Sequence, residues 1–251
     1  MNTAASTVGI LIVLVSVVLI IFFSIKPVRN KLPAVFRRIP AILKFKRAVG
    51  VAVEEGTGIH VAIGKASLLQ PSSTSAFIGL STLSRVGQLS GASDTPPIST
   101  SGDGSLAVMS QDVLISAARE TGTAQLYHPD QGQLAGITPL SYVAGVLNVI
   151  QDPGIKTNVF IGNFGPEAGF LTAASEEKGA FTMAASDNIA AQAVFYATAG
   201  EPLIGEELYA VPAYLQSSPF HMASLRMQDI LRWGIVAVLV GGAVLKLVGV
   251  I

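Results

Sequence analysis

The sequence predicts an α/β domain of Rossmann-like, three-layer form with a mostly parallel sheet, flanked by one transmembrane helix at each end. Three observations predict it. A long apolar run with at most one charge lies near each end of the 251-residue chain. The stretch between them repeats one unit: a short apolar strand, a polar or Gly-containing turn, then a helical pattern. Charge is segregated, although the total is zero.

The composition fits a chain partly in lipid. Half the residues are apolar, only 13% are charged, and mean hydropathy is +0.57; soluble domains carry about 25% charged residues. Positions 26–47 hold eight basic residues and no acidic one: Lys26, Arg29, Lys31, Arg37, Arg38, Lys44, Lys46 and Arg47. Positions 48–228 hold fifteen acidic and six basic residues, a net of −9. An acidic domain excludes nucleic acid as the expected partner, since that needs a concentrated basic surface.

Val8–Ile25 is eighteen residues without a charge, nearly enough to cross a hydrocarbon core of about 30 Å. A cleaved signal peptide has its basic residues before the apolar run; here they follow it, so a retained anchor is expected. Trp233–Ile251 is nineteen residues with one charge, Lys246, near its far end. Arg226, Arg232 and Trp233 stand at its near end as interfacial anchors. Ala237, Gly241 and Gly242 give this span a small-residue face suited to helix packing. The basic residues beside both spans belong on the cytoplasmic side. That predicts both termini outside and a cytoplasmic domain, attached to a bacterial inner membrane.

These features divide the chain into an N-terminal span (1–25), a basic interfacial segment (26–47), a cytoplasmic α/β domain (48–225) and a C-terminal span (226–251). Within the basic segment, Leu32, Val35, Phe36, Ile39, Ile42, Leu43 and Phe45 alternate with the charges, and Pro33 and Pro40 break it into short turns. Such a segment is expected to lie on the anionic inner leaflet.

In the domain, Val49–Glu55 and Ile59–Gly64 read as two strands of a hairpin at a sheet edge, joined by Gly56, Thr57 and Gly58. The first strand–helix unit runs from Ile59–Gly64 to a helix over 72–89. The second joins strand Pro97–Thr100, through Gly102, Asp103, Gly104 and Ser105, to a helix ending near Arg119. Its Leu106, Met109, Val113 and Ala117 form an apolar stripe. Positions 122–138 read as a polar loop. Pro139–Ile150 is an apolar helix, stopped at Asp152, Pro153 and Gly154. The third unit joins strand Asn158–Gly162, through Asn163, to a helix from Pro166. The fourth joins Ala180–Ala185, through Ser186, Asp187 and Asn188, to a helix over Ile189–Thr198. Leu203–Leu215, with Pro212 inside, has no clear pattern.

In a parallel sheet the strand-to-helix turns emerge at one edge, where ligands settle. Asp103, Gly104, Ser105, Asn163, Asp187 and Asn188 would lie there, beside helix N-termini that favour anions. Capping alone asks for the same residue types. No catalytic residue is assigned and no cofactor is expected. There is no cysteine, GxGxxG fingerprint, phosphate loop or GxSxG motif. His60, His128 and His221 are too scattered for a metal site. The pairs Glu54/Glu55, Glu176/Glu177 and Glu206/Glu207 are adjacent in sequence, as on solvated faces.

Four stretches carry a resemblance: Val53–Thr57 (VEEGT), Pro96–Gly104 (PPISTSGDG), Glu201–Ala210 (EPLIGEELYA) and Ser224–Trp233 (SLRMQDILRW). Through them the chain resembles an uncharacterised bacterial family of membrane-anchored proteins, classed as a domain of unknown function. The resemblance implies architecture and no activity. The functional expectation is therefore structural: a non-enzymatic, membrane-anchored scaffold that forms a homo-oligomer or docks a partner at the cytoplasmic face. The alternative is a membrane-tethered sensor for a small polar or anionic ligand, and the third reading is an enzyme of unrecognised type.

Overall fold

A computed structural model describes residues 3–26, 37–66, 73–216 and 219–247. Arg29 and Lys31 of the basic segment lie outside the described residues. The chain divides into two compact units, Ile39–Leu215 and the two terminal segments Met1–Arg38 and Gln216–Ile251.

The chain opens with α1 (Thr3–Ser24). The central unit runs α2 (Pro40–Glu55), β1 (Gly58–Gly64), α3 (Ser73–Leu89), β2 (Ile98–Ser101), α4 (Gly104–Glu120), β3 (Gly132–Leu134), α5 (Pro139–Ile150), β4 (Ile155–Asn163), α6 (Gly169–Glu177), β5 (Phe181–Ser186), α7 (Ile189–Thr198), β6 (Glu201–Leu203) and α8 (Glu207–Gln216). The chain then continues into α9 (Pro219–Leu247).

The six strands form one sheet in the order β3-β2-β1-β4-β5-β6, every neighbouring pair parallel. The middle strands are buried on both faces, and β1 is buried at all seven positions. A parallel sheet covered by helices asks for such continuous burial. On one face Ala62, Phe160 and Ala184 pack with Tyr142, Val146, Leu171 and Phe195 from α5, α6 and α7. On the other face α3 approaches the sheet at Gly79, where an added Cβ would lie 2.7 Å from both Ile63 Cγ2 and Ile161 O. The α4 helix packs beside α3 and over β2 and β3.

The expected opening hairpin is not formed. Val49–Glu55 is the second half of α2, and β1 sits in the middle of the sheet. Local β-branched composition pointed to a strand, but the apolar period from Ile42 onward is helical. Ile42, Phe45, Val49 and Ala52 are buried at i, i+3, i+7 and i+10. Pro40 occupies the start of α2 and Gly56, at φ 68°, caps its end. Pro40 therefore starts a helix and does not break a turn.

Helix α2 also fills a topological gap. Helices α5, α6 and α7 cover one face, while α3 and α4 cover β1, β2, β3 and part of β4 on the other. That would leave β5 and β6 bare on the second face, and α2 packs there and against β4. Phe45 stacks on Phe181 at 6.4 Å between ring centroids. Burying Ile42 and Phe45 contributes on the order of 1.5–3 kcal/mol each. Their apolar surface is therefore used inside the domain. This corrects the expectation that the stretch from Ile39 to Phe45 lies in the lipid interface; Ile39, Ile42 and Phe45 are core residues. The domain begins at Ile39 and closes at Leu215, earlier than expected at both ends.

Two further segments differ from expectation. The loop at 122–138 contains the edge strand β3, paired with β2 from Ser99↔Gly132 to Ser101↔Leu134. A three-residue strand rich in Gly and Gln leaves no hydrophobic alternation to read. The unassigned stretch near Leu203 provides β6 and then α8, which tolerates Pro212 in its interior. Helices α5 and α7 match expectation at both ends. Thr138 and Ser141 form a capping box at the start of α5, worth about 1 kcal/mol.

In the terminal unit, α1 and α9 are long and apolar enough to cross a membrane. They pack antiparallel: Arg226, near the start of α9, stands 5.5 Å over the ring of Phe23, near the end of α1. A groove of about 550 Å³ runs between them, lined by Val8, Ile12, Val15, Gly234, Ile235 and Val238. An added Cβ at Gly241 or Gly242 would meet no atom within 4 Å, so neither glycine mediates a close approach to α1.

Candidate functional site

Connections run outward in opposite directions from β1 and β4, so the C-terminal ends of these neighbours form the topological switch point of the sheet. Their backbones meet there without room for side chains. A Cβ on Gly64 would lie 2.1 Å from Asn163 O, and one on Gly162 would lie 1.9 Å from Ile63 O. Both residues have positive φ, 78° and 154°, so glycine is required twice over. Lys65 N donates to Asn163 O at 2.9 Å and Gly102 N donates to Gly64 O at 2.8 Å, tying the ends of β1, β2 and β4 together.

The predicted residues do gather at this edge, but most serve the fold. Asp103 caps α4, accepting from Ser105 N at 2.9 Å, from Leu106 N and from the Ser105 hydroxyl. Gly104 is the first residue of α4. Asn188 caps α7 by accepting from Ala190 N at 2.9 Å. Asn163 donates to Asp187 Oδ1 at 2.7 Å, and Ser75 donates to Asp187 Oδ2 at 2.8 Å. Both oxygens of Asp187 are thereby engaged. Tyr209 of α8 lies close enough that burial and the Asp187 charge both raise its phenol above the usual range.

Two charged residues at the switch point had no signal in the sequence. Lys65 Nζ lies 2.9 Å from Glu167 Oε1, both largely shielded from solvent. Space for the pair comes from two glycines: a Cβ on Gly102 would strike Lys65 Cγ at 2.3 Å, and one on Gly165 would strike the Glu167 carboxylate at 2.1 Å. Only the fold brings these residues together, since they are 102 positions apart.

A second group crosses the sheet beneath this edge. Tyr142 bonds Thr100, and Gly64 N donates to Tyr142 OH at 3.3 Å. Thr100 Oγ1 is 2.8 Å from His60 Nε2, His60 Nδ1 is 3.0 Å from Asn158 Oδ1, and Asn158 donates to Ser175 at 2.9 Å. Ser175 and Thr182 hydroxyls are 2.7 Å apart. One proton arrangement satisfies the chain: Thr100 donates to Nε2, and Nδ1–H donates to Asn158. Burial lowers the pKa of His60 to about 4, with the Asn158 bond opposing the shift, so the ring is neutral at pH 7. Burial holds the Tyr142 phenol well above its ordinary range. Every member is buried. The chain stitches β2, β1, β4 and β5 together and has no outlet for a proton.

The predicted interface residues fall in both units. Lys26, Arg37 and Arg38 are exposed residues of the terminal unit, as are Arg232 and Trp233 of α9. Lys44, Lys46 and Arg47 stand on the exposed side of α2, and Lys44 pairs with Glu201 of β6. No group of three or more His, Asp or Glu residues suited to a metal ion occurs among the described residues.

Comparison with curated proteins and with solved structures finds no significant match to the chain. The family model described as Domain of unknown function (DUF6754) matches residues 2–251. With its two apolar terminal helices and its parallel α/β domain, the chain belongs to the DUF6754 family.

Proposed function

We propose that the chain is a membrane-anchored structural protein whose central domain self-associates at the inner face of the bacterial cell membrane. One observation carries this reading. Five large apolar side chains stand out from the layer formed by α5, α6 and α7: Ile137 (76% exposed), Leu140 (71%), Phe170 (66%), Ile189 (82%) and Tyr196 (75%). Ile137, Leu140, Phe170 and Ile189 all lie at or just before the N-terminal ends of three helices that pack side by side. Neither α5 nor α7 contains a charged residue. Apolar surface grouped in this way marks an interaction site, and a second copy brings an equally apolar face to cover it.

The basic residues beside both apolar helices favour an orientation with the domain in the cytoplasm. Lys26, Arg37, Arg38 and their neighbours would contact anionic lipid, each worth on the order of 1 kcal/mol. The chain has no cysteine, so single cysteines introduced at Thr3 and Asp112 and labelled from either side would test this orientation directly.

The test of assembly is the mass of the purified protein in mild detergent, by light scattering. A defined multiple of the 26.0 kDa chain is expected. The double variant Phe170→Asp/Ile189→Asp should fall to a smaller species while its circular dichroism is unchanged. A wild-type monomer would overturn the reading.

A second reading, a membrane-tethered binding domain for a small polar or anionic ligand, draws on the switch point between β1 and β4. It expects a metabolite to raise the melting temperature of the wild type and not that of Asp103→Ala, each judged against its own unliganded value. A screen of nucleotides and organic acids without any such shift would sink it.

A further inference from the structure

Helix α2 sets one face into the core and turns the other outward. Ile42, Phe45 and Val49 are buried against the sheet. The helical period then puts Leu43, Arg47, Gly50 and Val51 on the opposite face, with Lys44 and Lys46 on its two flanks. All six are exposed, Leu43 by 55%. An added Cβ at Gly50 would meet no atom within 4 Å. Lys44 is tied to Glu201 of β6, while Lys46 and Arg47 make no ion pair among the described residues.

Charge sets this face apart from the rest of the domain. The unit Ile39–Leu215 holds fifteen acidic and eight basic residues. Lys44, Lys46 and Arg47, three of the eight, stand within a single turn of helix. Elsewhere Lys65 is paired with Glu167, and Lys178 is held by backbone carbonyls. The acids of α2, Glu54 and Glu55, lie about two turns beyond Arg47. An anionic surface therefore repels the unit as a whole and attracts it at the start of α2. That start lies two residues after Arg38, in the basic stretch that follows the first apolar run. An exposed leucine flanked by cations suits a lipid interface: the apolar group enters it, and the long basic side chains keep their charges at the headgroups.

We propose that the outward face of α2 docks the central domain on anionic phospholipid, with Leu43 in the interface and Lys44, Lys46 and Arg47 at the headgroup phosphates. This docking carries onto the domain itself the lipid contact of the basic residues before it, and it rests on the membrane-anchored reading. It leaves α5, α6 and α7, on the other face of the sheet, free to meet a second copy.

The chain has no cysteine, so a label can be placed at will. The full chain carrying Leu43→Cys, labelled with a polarity-sensitive fluorophore, is put into lipid nanodiscs. One set is phosphatidylcholine, the other equal parts phosphatidylcholine and phosphatidylglycerol. The anionic discs should shift the emission to the blue and protect the label from acrylamide, relative to the neutral discs. The same label at Val108→Cys, an exposed apolar position of α4 one turn before Asp112, should stay open to acrylamide in both. Adding Lys46→Gln/Arg47→Gln to Leu43→Cys should lower the docked-to-free ratio about fivefold for each charge removed. Both positions are exposed, so this variant is expected to fold, and its melting curve verifies that. A chain that does not enter the discs would overturn the anchored reading and the docking together. A chain that enters them would overturn the docking alone if the Leu43 label is equally open in both lipids, is protected regardless of Lys46 and Arg47, or is protected no better than the label at Val108.

Discussion

The two helical layers of the central domain are alike inside and differ outside in charge. Both press small and aliphatic side chains onto the sheet. Outward, α2, α3 and α4 carry nine charged residues between them, whereas α5, α6 and α7 carry two, both at the end of α6. The inner faces are set by the need to cover a parallel sheet. The outer faces are free of that need, so their difference reports what each layer meets. One layer sets its exposed apolar side chains, among them Leu43, Phe77 and Val108, among charges. The other presents Leu140, Phe170, Ile189 and Tyr196, which water does not favour.

Substitutions test that contrast. The largest effect is expected inside the charged layer. Phe45→Ala removes a buried ring from the α2–sheet contact and should cost about 3–5 kcal/mol, read from denaturant unfolding followed by circular dichroism. The matching substitution on the bare layer, Phe170→Ala, removes an exposed ring and should cost under about 0.5 kcal/mol per monomer. Similar losses at the two sites would dissolve the distinction.

Next comes the polar stitch on the bare layer's inner side. His60 is neutral in the folded domain, with a pKa near 4 against an ordinary 6.5. Its folded pKa is lowered, so the unfolded chain takes up a proton that the native chain refuses. Its contribution is complete above about pH 6.5 and is lost as pH falls toward 4, to a limit of about 3 kcal/mol. Stability measured from pH 7 to 4.5 should fall more steeply in the wild type than in His60→Leu. Equal slopes would mean that His60 is not shielded as described. The smallest effect is expected at the rim of the charged layer. Glu201→Gln removes the partner of Lys44, which is well exposed, and should change stability by about 0.5 kcal/mol or less.

Periodicity revealed the helices that lie on the sheet by one face. Pro139–Ile150 and Ile189–Thr198 are bounded by a capping box and an Asn cap that are written locally. Val49–Glu55 misled because its β-branched residues suit a strand, while the helical period that governs it begins upstream at Ile42, with Pro40 before it and the Gly56 cap after it. The short edge strand β3 was illegible for a related cause: three residues hold too little pattern, and its identity comes from pairing with β2. At the candidate edge, Asp103 and Asn188 were legible because caps are local. Lys65 and Glu167 were not, since nothing within either segment refers to the other.

The two apolar terminal helices, the segregation of charge, the alternation of strands and helices, and the caps are legible in short stretches of the chain. Each of these rests on neighbours within about a turn of helix or a few strand residues, where periodicity and hydrogen-bonding reach act directly. Long-range packing sets the strand order, the use of α2 to cover β5 and β6, the Lys65–Glu167 pair and the buried line from Tyr142 to Thr182. It also separates the two layers by what they expose. Those features join residues far apart in the chain, and they are settled by which surfaces must be buried together, a condition no local window contains.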